Sequence, residues 1–307
     1  MALVVGVLLV PVRSALAWNK AGHKVIGAIA YERLKQTNPR ALEKVIELLK
    51  HHPHYESRWA RLLSQRSDDE ERRLFLCMLA ARWPDDVRGE KPYDHPDWHF
   101  IDYPFKPTSQ PATVQTEPPR EPDVVTALEE NLAVLRKANA QDSDKAVALC
   151  WLFHLVGDLH QPLHTTTLFT TEFPQGDRGG TRFYIKATPT SRSPISLHKF
   201  WDDLIIGSQN FQSVRNRATL IRNQHPAAEF QDLLGEATPN FEKWGKDESL
   251  PLAQTIVYRN GSIAGSSNKN DGPALPADYA ATAKAVAYKQ AALAGYRLAK
   301  VMEIAME

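Results

Sequence analysis

One segment constrains this chain more than any other. Residues 144–160 read as a helix that is apolar over most of its surface, through Ala148, Leu149, Trp151, Leu152, Leu155 and Val156. Yet His154 and Asp158 stand four apart within it, so both project from one face. An unpaired carboxylate buried among such side chains would be costly. Two arrangements resolve the conflict: a hydrogen-bonded polar pair in the core, or a metal ion held by imidazole and carboxylate. Pro162 lacks a backbone donor and should bend or end the helix, turning His164 in a new direction.

Helical spacing dominates elsewhere. Val25, Ile26, Ile29, Ala30 and Leu34 make one apolar face. Ser67-Asp68-Asp69-Glu70 reads as a capping box opening a helix through Leu74, Phe75, Cys77 and Met78. Residues 104–122 hold six prolines and read as a surface loop, after which Val124, Val125, Leu128, Leu132 and Leu135 resume helical spacing. An alanine-rich helix over 278–306 contains Gly295, which would permit close packing. Residues 181–185, after Gly179-Gly180, suggest one strand of a small hairpin. With 307 residues, no internal repeat and no clear linker, the expectation is one mainly α, multi-helix domain over 18–307.

The N-terminus reads as a signal peptide over 1–17. A short apolar run over 2–12 is followed by Ala15-Leu16-Ala17, a small-residue cleavage pattern. No Lys or Arg precedes the run, and Arg13 follows it; a buried N-terminal strand is the alternative. Cleavage would make Trp18 the first residue of a secreted or periplasmic protein. Cys77 and Cys150 allow at most one disulfide, and both sit in apolar helical segments that suit buried thiols. No later segment looks transmembrane, no stable membrane association is expected, and nothing implies more than a monomer.

The formal charge is only +1, which argues against binding through a broad basic surface. A polyanionic partner would need localised positive charge, and bound metal ions can supply it. Histidine is therefore the informative residue. His51-His52-Pro53-His54 looks like a solvated turn, and His160 like a structural residue. His198 and Asp202 repeat the four-residue spacing, as a metal-binding pair or an ordinary helix-surface pair. Asp85 and Arg88 lie in Trp83-Pro84-Asp85-Asp86-Val87-Arg88, and His99 and Asp102 in Trp98-His99-Phe100-Ile101-Asp102. The acidic and imidazole groups among them are further candidate ligands, or else ordinary loop residues and a core histidine. Trp18 and His23 are five apart at the expected mature terminus. An α-amino group with a pKa of about 7.7–8.0 can lose its proton and become a ligand.

The ordered set of motifs resembles the S1/P1 nuclease family of zinc-dependent single-strand nucleases, over nearly all of 18–304. It comprises the N-terminal Trp with Gly-His, W-x-D-x-x-R, H-F-I-D, H-x-x-G-D-x-H-Q-P-L-H, Gly-Gly and H-x-x-x-D. The resemblance implies a mostly helical phospholipase C/P1 nuclease-like fold with at most a small β-hairpin, and three Zn²⁺. It places one ion on Asp85, His99, His154 and Asp158. It places a second on the amino nitrogen and carbonyl of Trp18, on His23 and, as a bridge, on Asp158. The third falls to His164, His198 and Asp202. It implies hydrolysis of single-stranded DNA and RNA to 5′-phosphate ends, and action on 3′-mononucleotides. Asp85 would orient the nucleophile, and Arg88 would lend charge to the transition state. Phe100 and Asp102 would bind a base, with Gly180 and Thr181 alongside. Thr181 departs from the family's usual Asn, losing an amide donor pair, and Pro84 replaces its usual Ala. The alternatives are a zinc-dependent phospholipase C, which shares the fold, and a non-catalytic zinc- or nucleic-acid-binding protein.

Overall fold

The computed structural model describes residues 18–205 and 207–307; the expected leader, 1–17, lies outside the described residues. Helices begin where the sequence offers caps. Asn19 accepts from the N–H of Ala21 and Gly22 and opens α1 (Lys20–Thr37). Asn38 accepts from Ala41 N–H, with Pro39 pre-set for the first turn of α2 (Pro39–Lys50). After the short α3 (Ala60–Ser64), α4 (Asp69–Asp86) starts one residue later than the Ser67 box implies. Asp68 is its cap, accepting from Glu71 N–H at 2.7 Å, and a carboxylate there also suits the helix dipole. Asp123 and Thr126 form a reciprocal capping box on α5 (Val124–Arg136).

α6 (Asp142–Leu159) is the central helix, buried at every residue from Ala148 to Leu159. A helix apolar on all sides must be enclosed, and α4, α5, α2 and α12 (Tyr279–Ala305) pack around it. α1 lies against α4, α12 and α8 (Phe211–Gln224). A Cβ on Gly295 would sit 2.5 Å from Ile29, so glycine sets the approach of α12 to α1. Shorter helices are α7 (Leu197–Asp202), α9 (Gln231–Leu234), α10 (Phe241–Lys243) and α11 (Leu250–Leu252). One apolar cluster runs from Trp18 to Met302. Cys77 and Cys150 are buried free thiols within it. Among the described residues, no helix is long and apolar enough to cross a membrane.

The expected mainly helical fold is what forms, with two small sheets. β1 (Pro104–Phe105) pairs in parallel with β2 (Thr167–Leu168). β3 (Tyr184–Ile185) pairs antiparallel with β4 (Ile195–Ser196). The hairpin strand is thus shorter than its β-rich sequence, and the proline-rich stretch contributes a strand before becoming loop. The His51–His54 turn is not solvated throughout. His52 is buried and stacks on Trp59 at 4.5 Å, and His54 Nδ1 accepts from Trp83 Nε1–H at 3.0 Å.

Candidate metal centre

Each element delivers its polar residues to one buried region. α1 supplies His23, the last turn of α4 supplies Asp85, and α6 supplies His154 and Asp158. His99 ends the 3₁₀ turn Pro96–His99. Pro162 opens a second such turn, Pro162–Thr165, which carries His164 away from the line of α6 as its missing donor predicts. α7 contributes His198 and Asp202. Three clusters result: His23, Asp85 and His154; His99, His154 and Asp158; and His164, His198 and Asp202. All eight residues are buried, and within each cluster the ligand atoms lie within 4.8 Å of one another.

Asp158 joins the first two clusters. Its Oδ1 lies 3.3 Å from His23 Nε2, while Oδ2 lies 3.0 Å from His99 Nδ1 and 3.3 Å from His154 Nε2. His154 Nε2 is 3.1 Å from His99 Nδ1 and 4.0 Å from Asp85 Oδ1. In the third cluster Asp202 Oδ2 is 3.4 Å from His198 Nε2, and Oδ1 is 4.0 Å from His164 Nε2.

Backbone carbonyls aim these rings. His154 Nδ1–H donates to Ala81 O at 2.9 Å, His164 Nδ1–H to His99 O at 2.6 Å, and His198 Nδ1–H to Gly179 O at 2.6 Å. Each bond fixes the tautomer that leaves Nε2 as a lone-pair donor facing the carboxylates. Glycine is needed at 179 to present that carbonyl, because φ there is +57° and a Cβ would fall 2.3 Å from Leu163 O. Gln161 Nε2–H holds Asp202 Oδ1 at 2.8 Å while its Oε1 accepts from Leu163 N–H.

The donor set fits metal ions. Among the described residues, His23 Nε2, Asp85 Oδ2, Asp158 Oδ1 and His164 Nε2 are buried cluster atoms with no hydrogen-bond partner, a costly state for polar atoms. Burial, then the neighbouring His154, pushes His23 down to about 3; burial likewise lowers His99 and His164. Neutral imidazole is the form a metal requires. Burial pulls Asp158 upward, but His154, His99 and His23 outweigh it and hold the carboxyl well below its ordinary range. Asp85 is also lowered, against burial, by His154, His23 and Arg88. Asp202 goes the other way: burial raises it well above the usual range, opposed by Gln161 and reinforced by Asp203 and Asp158. Among the described residues no lysine or arginine pairs with that carboxylate, and a metal would provide the missing positive charge. Imidazole and carboxylate donors suit zinc among common ions.

The remaining expected residues lie around these clusters. Arg88 reaches Asp85 Oδ1 through Nε at 2.9 Å and Nη2 at 2.7 Å. Phe100 is half-buried directly after His99, with its carbonyl accepting from Val124 N–H. Asp102 is half-buried, accepts from Thr167 Oγ1, and is raised by burial. Gly180 O accepts from His198 N–H at 3.2 Å and so adjoins the third cluster, while Thr181, the next residue, donates its N–H to Arg178 O. Trp18 is fully buried, with its indole N–H donating to Gly157 O at 3.0 Å, and Asn19 N–H donates to Asp202 O at 3.1 Å. Trp18 therefore lies between the second and third clusters. His160 faces away from the clusters: Nδ1–H donates to Val156 O, and Nε2 accepts from Arg297 at 3.0 Å.

Asp177 escaped the reading of the sequence. Wholly buried, it accepts from Leu168 N–H at 2.9 Å and Tyr258 O–H at 2.6 Å, and so anchors the turn that presents Gly179 O. An Asp between Gly and Arg resembles any turn residue, so its only signal was its place before Gly-Gly.

Fold and centre together define a helical protein built on three adjoining His/Asp clusters able to hold metal ions. The chain belongs to the S1/P1 nuclease family, whose profile matches residues 18–307. It is 24% identical to Endonuclease 4 of Arabidopsis thaliana over 318 residues, covering 95% of this chain and 90% of that protein. It is 25% identical to Endonuclease 3 of the same plant over 312 residues, covering 94% and 88%. Family membership supports a nuclease function with nucleic acid as the substrate.

Proposed function

We propose that this chain is a secreted, zinc-dependent phosphodiesterase that hydrolyses single-stranded DNA and RNA to 5′-phosphate products and also accepts 3′-mononucleotides. The observation that carries this reading is Asp158, whose two oxygens face different imidazole sets, as a carboxylate shared by two metals would. The expected assignment gives three zinc ions. Asp85, His99, His154 and Asp158 would hold one, Trp18, His23 and Asp158 a second, and His164, His198 and Asp202 the third.

When bound, such ions supply Lewis acidity to the phosphate and activate water for in-line attack. The protein's own groups do the rest. Asp85 orients the nucleophile. Arg88, adjacent to it, adds positive charge as the pentacovalent transition state gains negative charge. Phe100 offers a face on which an unpaired base stacks, and Asp102 an acceptor for the base edge, with Gly180 and Thr181 bordering the same space. Stacking of this kind favours single strands, since a duplex base must first be flipped out at a few kcal/mol. The Ala15-Leu16-Ala17 pattern supports export and cleavage before Trp18, and the enzyme is proposed to act as a monomer.

The test is to give protein beginning at Trp18, loaded with zinc, single-stranded and duplex DNA, RNA and a phosphatidylcholine dispersion. Rapid cleavage of single strands to 5′-phosphate ends, abolished by chelator and restored by zinc, is expected. Turnover of the lipid alone would move the protein to the phospholipase reading. Bound zinc without turnover would make it a binding protein.

A further inference from the structure

Beside the first cluster, two cations meet one carboxylate, with a buried lysine close by. Arg82 donates to Asp86 Oδ1 through Nε at 2.8 Å and Nη2 at 2.5 Å, and Lys20 Nζ lies 3.5 Å from the same oxygen. Lys24, one turn along α1 from Lys20, sends Nζ to Gln209 O at 3.0 Å, and Arg82 Nη1 reaches Gln209 Oε1 at 3.4 Å. Burial pushes Lys24 down to about 8, which thins its charge, but Asp86 cannot neutralise both Lys20 and Arg82. Asp203, which accepts from the Nδ2 of Asn19 beside Lys20, is already matched by Lys199 at 2.6 Å. The group therefore carries surplus positive charge, although the whole chain is almost neutral.

Its position is set by helix phase. Lys20 precedes His23 by three residues, and Arg82 precedes Asp85 by three, so each shares a face with a cluster residue. Arg88, just past the end of α4, reaches Asp85 Oδ1 itself, so arginines stand on both sides of Asp85 in the chain. The charges are reachable: the Lys20 side chain is 41% exposed and that of Arg82 24%. A localised cationic group at the edge of a phosphodiesterase centre attracts another part of the same polyanion.

We propose that Lys20 and Arg82 form a phosphate subsite that takes a backbone phosphodiester of the single strand outside the scissile one. The inference rests on the nuclease reading above. Lys20 acts as a point charge. Arg82 is held in place by Asp86 and offers Nη1, whose Gln209 contact is long and readily exchanged. The subsite gives longer strands an advantage over minimal substrates and makes binding salt-dependent.

The test compares wild type with Lys20→Gln and, as a control for overall charge, with Lys284→Gln on α12. Fluorescence anisotropy follows a labelled oligodeoxythymidylate of about a dozen nucleotides, built with cleavage-resistant, negatively charged linkages, on zinc-loaded protein across a salt series. Lys20→Gln should weaken binding about three- to tenfold at low salt and reduce the log–log salt slope by about 0.7. Lys284→Gln should leave the slope as in wild type. In turnover of unmodified substrates, Lys20→Gln should lower kcat/KM on the oligonucleotide several-fold more than on a dinucleotide. Equal losses on both substrates, an unaltered slope, or the same change in Lys284→Gln would overturn the subsite alone. A wild type that neither binds nor cleaves single strands would overturn the nuclease reading, and the subsite with it.

Discussion

His164 Nδ1–H donates to the carbonyl oxygen of His99 at 2.6 Å, so the backbone of one metal cluster aims the imidazole of the next. The clusters also share side chains: His154 belongs to two, and Asp158 faces ligands from both. Disturbance at one should spread to its neighbour.

Asp158→Asn tests that coupling. Losing the charge that His23, His99 and His154 all face should remove more than one metal ion per chain. Activity should fall by at least about 100-fold, the upper range for residues that merely support a ligand. Metal analysis by mass spectrometry on the purified variant decides: full content would refute a shared carboxylate.

Gly179→Ala tests the aiming of the third cluster. The added Cβ meets Leu163 O at 2.3 Å, at a φ of +57°. Relieving that contact moves the carbonyl that holds His198. The expected result is about 1–3 kcal/mol of destabilisation, together with weaker binding of one zinc ion. Thermal unfolding and a zinc titration measure the two effects. Loss of stability with unchanged zinc affinity would show that the carbonyl does not govern His198.

The legibility of these features in the sequence follows physical lines. His154 with Asp158, and His198 with Asp202, were readable because four-residue spacing on a helix guarantees a shared face. The turn at Pro162 was readable because proline cannot donate. That Asp85, His99 and His164 meet on the same centre came only through resemblance, since they arrive from separate elements and no local pattern links them. Asp85 was open to reading as a loop residue beside Pro84, yet α4 continues to Asp86. The carbonyls of Ala81, His99 and Gly179 left no trace, because any residue carries a carbonyl. His52 was misjudged because its burial depends on Trp59 and Trp83, brought in by packing.

Acid should weaken the metal-free fold in a defined window. Burial pushes His52 and His160 down to about 3, helped by His54 beside the first and Arg297 beside the second. Both stay neutral when folded but gain protons in the unfolded chain below 6.5. Their contribution is complete above 6.5 and is lost as pH falls toward 3. Asp177, pushed up to about 6 by burial, acts oppositely: its protonated form favours the fold, and that gain is lost as pH rises from 3.8 through 6. His160→Gln, which can still accept from Arg297, should flatten the acid slope by up to about 1.4 kcal/mol per pH unit. Urea unfolding of chelated protein at several pH values measures it; an unchanged slope would mean that His160 titrates alike in both states.

Phe100→Ala should separate substrate binding from metal binding. The ring follows His99 but no atom of it belongs to the clusters, so zinc content should stay at the wild-type level. Loss of a stacking face should weaken single-strand binding by about 1–3 kcal/mol, read as a rise in KM. An unchanged KM would remove Phe100 from the base-binding site.

The start of the described chain offers the last test. Trp18 is fully buried, its indole tied to Gly157, the residue before Asp158, and the next amide is tied to Asp202. If its amino nitrogen is a ligand, that nitrogen must be a free amine, because an amide nitrogen has no lone pair to give. Protein beginning at Trp18 should then bind one more zinc ion than protein with a short tag fused ahead of it, and should be the more active by orders of magnitude. Removing the tag with a protease that leaves Trp18 first should restore both. A tagged protein with full zinc content and full activity would mean that His23 and Asp158 hold their ion without the terminus.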